Sequence, residues 1–546
     1  MDDQSRLSFP QEIWWLIAQE LSSRRDFGGL FLCARLSKGI ARLALPELYA
    51  IHDQSPAINA HILDMETSIC LWRSIIASSL GKTLFPYCCW IRALKLGNLH
   101  SQLEDLARDN PILKAQFFSS PLEKLQIRSG RGRALNLDAI IVEVASLVTD
   151  CIRTSADKED KRMGITTLEG YYLPTANLPT WLSGLSSLTT LVARDGSVLN
   201  SDVARAIRQH CPAFREVECF FCRGTDIDEQ IAGFFKNLEP NSLESFTVLS
   251  MNELQRKTFK ALCNHSRSLK SLALLSLERP ALESLNELQH CVSLESLKLE
   301  GDWSAQVYDW QTESKQSFQE VVQWLKDCAS LKELDFRVIP ASTTILADVL
   351  KSPTVRLLSL SLKTLDFDDE FCAALQNQSQ LQELSIRFDE ELIELSEERR
   401  TPLADSIACC HELRELDTNE LFTFDNTNHM CSSLPLLERI VMYGDLIDDV
   451  FLGPIAKLSK LKSLNVYGSS IISPHVLMDF LDQLEADPDG EHEGLQVYIA
   501  NQNYDFRFTD DEEAWLGTEF HNRFKGRFDI NNQMDPDELH ESDFSD

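Results

Sequence analysis

The chain has 546 residues, 43% hydrophobic and 25% charged, with a formal net charge of −32 and a pI near 4.8. That balance excludes a general nucleic-acid binder, whose affinity rests on neutralising phosphates, and a protein held on an anionic membrane surface. It suits a basic or neutral protein partner, or simply keeps a long chain in solution.

No stretch of about 18 apolar residues exists, so no membrane span is expected. The opening MDDQSRLSFPQEIWW has two acids and no apolar core before Pro10, unlike a secretory signal. The expected location is cytoplasmic or nuclear. Fifteen cysteines without a secretory signal do not read as a disulfide framework.

Residues 7–49 predict three short amphipathic helices. Pro10 fits the first turn of one that carries Ile13, Ile17 and Leu21 at four-residue spacing. Asp26 caps a second with Phe27, Leu30 and Phe31. A third holds Leu36, Ile40, Leu43 and Ala44 and is expected to stop at Pro46. One reading is a helical cap that shields the next part of the chain. The segment also resembles an F-box, whose pattern opens with Leu-Pro and an acid and continues through aliphatic residues and Asp-Leu to an aromatic. Phe9 stands for the usual Leu; Pro10, Glu12 and Ile13 keep the opening; Ile17 and Leu21 carry the aliphatic series; Asp26-Phe27 replaces Asp-Leu. Residues 41–49, with Pro46, Leu48 and Tyr49, are similar to the ending common in F-box proteins of filamentous fungi. The resemblance implies that the chain binds a Skp adaptor, and through it a cullin, with Phe9, Pro10, Ile13, Ile17, Leu21 and Leu30 as adaptor-facing residues. Physically this is a helix-in-groove contact with aliphatic anchors.

Residues 51–90 read as a helical linker, turn-like at first and helical around Leu71, Trp72, Ile75 and Ile76. From residue 91 to about 500 a six-residue phrase returns, apolar-x-x-apolar-x-apolar. It runs IRALKL (from Ile91), LEKLQI (Leu122), LTTLVA (Leu188), FREVEC (Phe214), LESFTV (Leu243), LKSLAL (Leu269) and LESLKL (Leu294). It continues as LKELDF (Leu331), VRLLSL (Val355), LQELSI (Leu381), LRELDT (Leu413), LERIVM (Leu437) and LKSLNV (Leu461). Most intervals fall in or near the leucine-rich-repeat range. Alternation at the end of each phrase predicts a short strand. Between phrases lie helical patterns, such as SFQEVVQWLKDC, SDVARAIRQHC behind a capping Ser201, and DDEFCAALQNQ. The expected fold class is an α/β repeat: a three-helix N-terminal module, then a solenoid with parallel strands on its concave face and helices outside. Cys211, Cys291, Cys328 and Cys410 each stand three residues before a phrase, and Cys263 and Cys431 six before. They are expected to be packing residues. HCVSLESLKL and DCASLKELDF resemble the cysteine-containing leucine-rich repeats.

Three insertions interrupt the pattern, at residues 153–164, 300–316 and 387–400. The second carries Trp303, Tyr308 and Trp310, side-chain types that dominate binding hot spots, and is a candidate substrate loop. Outward strand positions include Lys298, Glu333, Asp335, Arg337, Glu383, Arg387, Glu415 and Asp417, with acids in excess and no obvious arginine cluster for a phosphorylated partner. Glu333, Asp335 and Arg337 join the loop as candidate substrate residues. Residues 501–546 read as an acidic, largely disordered tail with one helix near Trp515. No phosphate-cradling glycine loop, HExxH or nucleophile elbow occurs. The expectation is therefore a non-catalytic receptor without cofactor or metal, the substrate-recognition subunit of a ubiquitin ligase. An intracellular repeat scaffold, or a regulator such as a small-GTPase activator, remains the alternative.

Overall fold

The structure is a computed structural model that describes residues 10–54, 65–130, 134–155, 164–302, 308–364, 367–388, 397–418, 422–443, 447–468, 470–487, 490–501 and 507–532. It divides into two compact units, residues 1–269 and 270–546.

The first unit begins with helices α1 (Gln11–Ser23), α2 (Phe27–Leu36) and α3 (Lys38–Ala50). Pro10 stands just before α1, its carbonyl accepting from the Ile13 and Trp14 amides. Asp26 caps α2 by accepting from the Gly29 amide at 2.8 Å. Contrary to expectation, α3 runs through Pro46 to Ala50. Its far end is held from outside, which offsets the hydrogen bond that proline forfeits. Tyr49 stacks on Tyr87 at 4.6 Å, and its hydroxyl lies 2.6 Å from Ser74 Oγ. Ser74 belongs to the linker helix Met65–Ser79, which buries Trp72, Ile75 and Ile76.

Strands β1 (Ala93–Lys95), β2 (Thr167–Gly170), β3 (Thr190–Asp195), β4 (Glu216–Cys222) and β5 (Ser245–Asn252) come next, each parallel to its predecessor. The phrase at Leu122 forms a 3-10 turn and no strand, so β1 pairs directly with β2. The β2 phrase, Ile165-x-x-Leu168-x-Gly170, escaped the sequence pattern because glycine replaces its third apolar residue. Asn200 caps the helix Ser201–His210, and Ser201 is its first residue.

The second unit carries β6 (Ser271–Leu277), β7 (Ser296–Gly301), β8 (Glu333–Arg337), β9 (Ser359–Thr364), β10 (Glu383–Phe388), β11 (Glu415–Thr418) and β12 (Arg439–Tyr443). A two-residue pair, β13 (Ile447–Asp448) with β15 (Ser470–Ile471), stands apart from the main sheet. The main sheet continues through β14 (Ser463–Gly468), β16 (Gln496–Asn501) and β17 (Arg527–Asn532), all parallel and in chain order. Leu334 pairs with Leu360 and Leu360 with Leu384, so the ninth phrase starts at Leu357, two residues later than Val355. The array also extends beyond residue 500, where a tail was expected. Helix Asp510–Phe524 buries Leu516, Phe520 and Phe524, and β17 comes after it. Gly526 admits this close return, since a Cβ there would collide with the Leu495 carbonyl. Residues 533–546 lie outside the described residues.

One hydrogen-bond device recurs in both units. The carbonyl at the second position of a phrase accepts the amides of the second and third positions of the next. Thr189 O takes Arg215 and Glu216; Lys332 O takes Leu358 and Ser359; Arg414 O takes Glu438 and Arg439. Behind it, the leucines at phrase positions one, four and six stack in a ladder, as do Leu331, Leu334 and Phe336 against Leu357, Leu360 and Leu362, all buried. Both units are thus α/β repeat solenoids of leucine-rich type, in which each unit of chain buries its apolar face on its neighbours. Cysteines at the helix-to-strand turn are part of that core. Burial pushes the Cys211, Cys328, Cys410 and Cys431 thiols up to about 12, which makes them inert packing groups.

Leu334→Ala should cost about 2–5 kcal/mol in chemical unfolding, whereas Glu333→Ala on the same strand should stay within about 0.5 kcal/mol.

Candidate functional site

The N-terminal helices share a small core of Ala18, Leu30 and Ala44, with Leu21, Cys33, Ala34, Leu48 and Ile51 packed on it. This corrects one candidate contact, Leu30. Leu30 is fully buried in that core and Leu21 packs against it, because three short helices need every inward aliphatic residue for themselves. Ile17 is half-buried, Pro10 and Ile13 are exposed, and Phe9 lies outside the described residues. The open apolar surface is wider than the aliphatic series indicated. Leu16 joins Ile13 on α1, and Phe31, Leu32 and Leu36 stand out from α2, Leu32 and Leu36 each at 61% exposure. The Arg35 guanidinium lies over the Phe31 ring, 5.8 Å from its centre.

The candidate substrate loop is corrected by the structure. Trp310 is 1% exposed and packs edge-on against Phe318, 5.9 Å away, on the helix Lys315–Asp327. Tyr308 is 4% exposed beneath the Arg279 guanidinium, 4.3 Å from its ring centre. Burying so much ring area on the repeat's own helix outweighs leaving it in water. Trp303 lies outside the described residues.

The strand residues fare differently. Asp335 and Arg337 line a cleft of about 420 Å³ on the sheet of the second unit, with Lys363, Glu383, Arg387, Glu415, Asp417 and Arg439. Glu333 is exposed on the same strand, outside the cleft lining. The register does what linear spacing hid: Lys363 is the Cα partner of both Arg337 and Arg387, so three cations form one row about 5 Å apart. Carboxylates already engage the arginines of the cleft. Arg337 forks onto Asp335 at 3.1 and 2.9 Å; Arg387 reaches Asp417 at 2.7 Å and the Tyr443 hydroxyl at 2.9 Å; Arg439 meets Glu415 at 3.2 Å. The cleft is charge-balanced, not acidic. Asp417 Oδ1 is buried with no hydrogen-bond partner among the described residues, an acceptor that a donor from outside can satisfy.

The sheet of the first unit presents a surface that the sequence pattern did not single out. Tyr171, Arg194, Phe220 and Leu249 line a cleft of about 620 Å³ whose wall also holds Lys95, Glu169 and Glu218. Arg194 lies 5.1 Å from the Tyr171 ring centre and 6.0 Å from that of Phe220. Tyr171, Phe220, Leu249 and nearby Met251 are all exposed. Outward aromatic residues on separate strands are hard to see along a chain, because each alone looks like part of an apolar run. Burial is the main cause that raises both carboxyls, Glu169 and Glu218, above the usual range; Lys95 partly opposes it at Glu169.

No helix among the described residues is long and apolar enough to cross a membrane. No protein-family model and no curated protein matches the chain. Solved structures do. An internalin, InlF of Listeria monocytogenes, aligns at 14% identity over 71% of this chain and 90% of its own, with a TM-score of 0.36. The yeast Rad7 and Elc1 complex aligns at 16% identity over 60% and 88%, TM-score 0.33. A TLR13–ssRNA13 complex aligns at 14% over 62% and 57%, TM-score 0.30. The chain spans about half of the last of these.

Because burial raises Glu169, ionising it works against folding as pH rises through its folded pKa. Glu169→Gln should therefore melt at a higher temperature than the parent protein near neutral pH. The gap should close as pH falls to about 4, where the unfolded carboxyl also keeps its proton.

Proposed function

We propose that this chain is a non-catalytic substrate receptor of a Skp–cullin–F-box ubiquitin ligase, in the cytoplasm or nucleus. The N-terminal helices hold the adaptor, and the exposed sheet faces hold a protein to be marked. The observation that carries the reading is the apolar surface of Ile13, Leu16, Phe31, Leu32 and Leu36 on a module too small to cover it. Its position on helices whose sequence resembles an F-box supplies the occupant, with Ile13 and Ile17 kept from the resemblance and Leu16, Leu32 and Leu36 added to it. The anchoring of Tyr49 on Tyr87 supports a joint stiff enough to hold a substrate at a set distance from the transfer site.

On the substrate side, the Tyr171–Arg194–Phe220–Leu249 surface has the composition of a binding hot spot. The cleft at Asp417 favours a partner that brings a hydrogen-bond donor, such as a lysine or arginine side chain, to the free carboxylate oxygen. A basic or neutral segment suits both. A scaffold without a ligase link is the second reading, since a helical cap would make the same contact of α3 with the linker.

Affinity capture separates the two. The full chain should bring down a Skp adaptor and a cullin, and a variant with Ile13→Asp, Leu16→Asp and Leu32→Asp should lose both while its circular dichroism is unchanged. An intact chain that captures neither would leave only the scaffold. Tyr171→Ala with Phe220→Ala should keep the adaptor and weaken substrate capture at least about tenfold, the scale of one hot-spot loss.

A further inference from the structure

Three thiols meet where the linker joins the first repeat. Cys88 and Cys89 lie on the 3-10 turn Tyr87–Cys89, and Cys151 lies near the end of the helix Leu137–Ser155. Their sulfur atoms all fall within 4.8 Å of one another, and Cys88 Sγ is 3.4 Å from Cys151 Sγ. Cys88 is fully buried, while Cys89 and Cys151 are only partly so. Cys211 and Cys328, by contrast, each sit at a helix-to-strand turn, with the thiols 3.7 Å from the Leu182 and Cys291 carbonyl oxygens. Here three come from two segments 62 residues apart and converge on one point.

We infer that Cys88, Cys89 and Cys151 form a binding site for one thiophilic divalent cation of the zinc class. Zinc–thiolate bonds of about 2.3 Å place neighbouring sulfurs of a tetrahedral site roughly 3.8 Å apart, which the present spacing brackets. Adjacent residues seldom share a metal, but the tight 3-10 turn lets both sulfurs face the helix across the gap. Soft thiolates select zinc or copper(I) over magnesium and calcium. A cleft of about 520 Å³ lined by Cys89, Ser155, Trp90, Ile152 and Arg42 adjoins the cluster. A water or the Ser155 hydroxyl, which already hydrogen-bonds Cys89 and Cys151, can serve as the fourth ligand. On binding, the thiol protons pass to solvent and the sulfurs keep their electron pairs; nothing is oxidised.

Such an ion would tie the turn to the helix directly beside Tyr87 and Trp90, the rings against which Tyr49 of α3 packs. It would therefore stiffen the joint between the N-terminal helices and the repeats, whatever partner those helices hold.

The test uses the full chain, reduced and stripped with a chelator. Zinc is titrated in competition with a chromogenic chelator, and cadmium is added separately to read the ultraviolet thiolate-to-metal band. One equivalent should bind, with that band present and the melting temperature raised. Losing an outer-shell group costs about 10–100-fold in affinity, so Cys151→Ser, which loses a ligand, should weaken binding by at least about 100-fold. Cys70→Ser, at an exposed site, should bind like the parent, and unchanged circular dichroism of each variant shows that it still folds. A folded parent chain that takes up no cation, or uptake that survives Cys88→Ser with Cys151→Ser, overturns the inference.

Discussion

The rest of this molecule depends on one carbonyl per repeat. At the second position of most phrases it accepts two amides from the next phrase, as Thr166 O does for Thr189 and Thr190, and Glu438 O for Lys462 and Ser463. A single acceptor shared by two donors fixes translation and register at once. The leucine at position four then lands on the leucine before it, and the stack cannot slip by one residue without turning its apolar side chains to water. Since a strand pair alone is marginal, the contact works only as an array, with stability passed from neighbour to neighbour.

Register in turn decides what the exposed face of each sheet is. With side chains alternating along each strand, the third, fifth and seventh positions counted from the start of a phrase join rows that cross the sheet. That is how Arg337, Lys363 and Arg387 become neighbours, and how Asp417 meets Arg387 from the next strand. It also brings Tyr171, Arg194, Phe220 and Leu249 around one cleft. The helical side is spent on the core. Trp310 and Trp324 illustrate this: both are large, both are almost completely buried, and the Trp324 indole donates to the Cys291 carbonyl at 3.1 Å. These two tryptophans on the helix side serve packing, whereas Tyr171 and Phe220 at the sheet face are exposed.

The N-terminal helices obey a different economy. With only about 40 residues, their interior closes around alanines and Leu30, and larger side chains are left outside. That is why a position assigned to an adaptor became core while Leu16, Leu32 and Leu36 became surface. Helical periodicity identified which residues are apolar, but not which flank of the stripe the neighbouring helices would cover.

Short-range physics made much of this protein legible from the chain alone. The phrase period foretold strands and helices, five of the six cysteines that precede phrases proved buried, Cys263 being only partly so, and Asp26 and Asp368 stand at helix starts. The helix expected near Trp515 is present as Asp510–Phe524, with Thr509 and Glu512 in a reciprocal cap. Tertiary structure alone decided the phrase at Leu122, the start at Leu357 and the extension to residue 532. It alone brought Cys88 and Cys89 to Cys151 and three cations into one row. The reason is distance along the chain: periodicity and capping act within a few residues, while a site is made by side chains tens of residues apart that meet only when repeats stack.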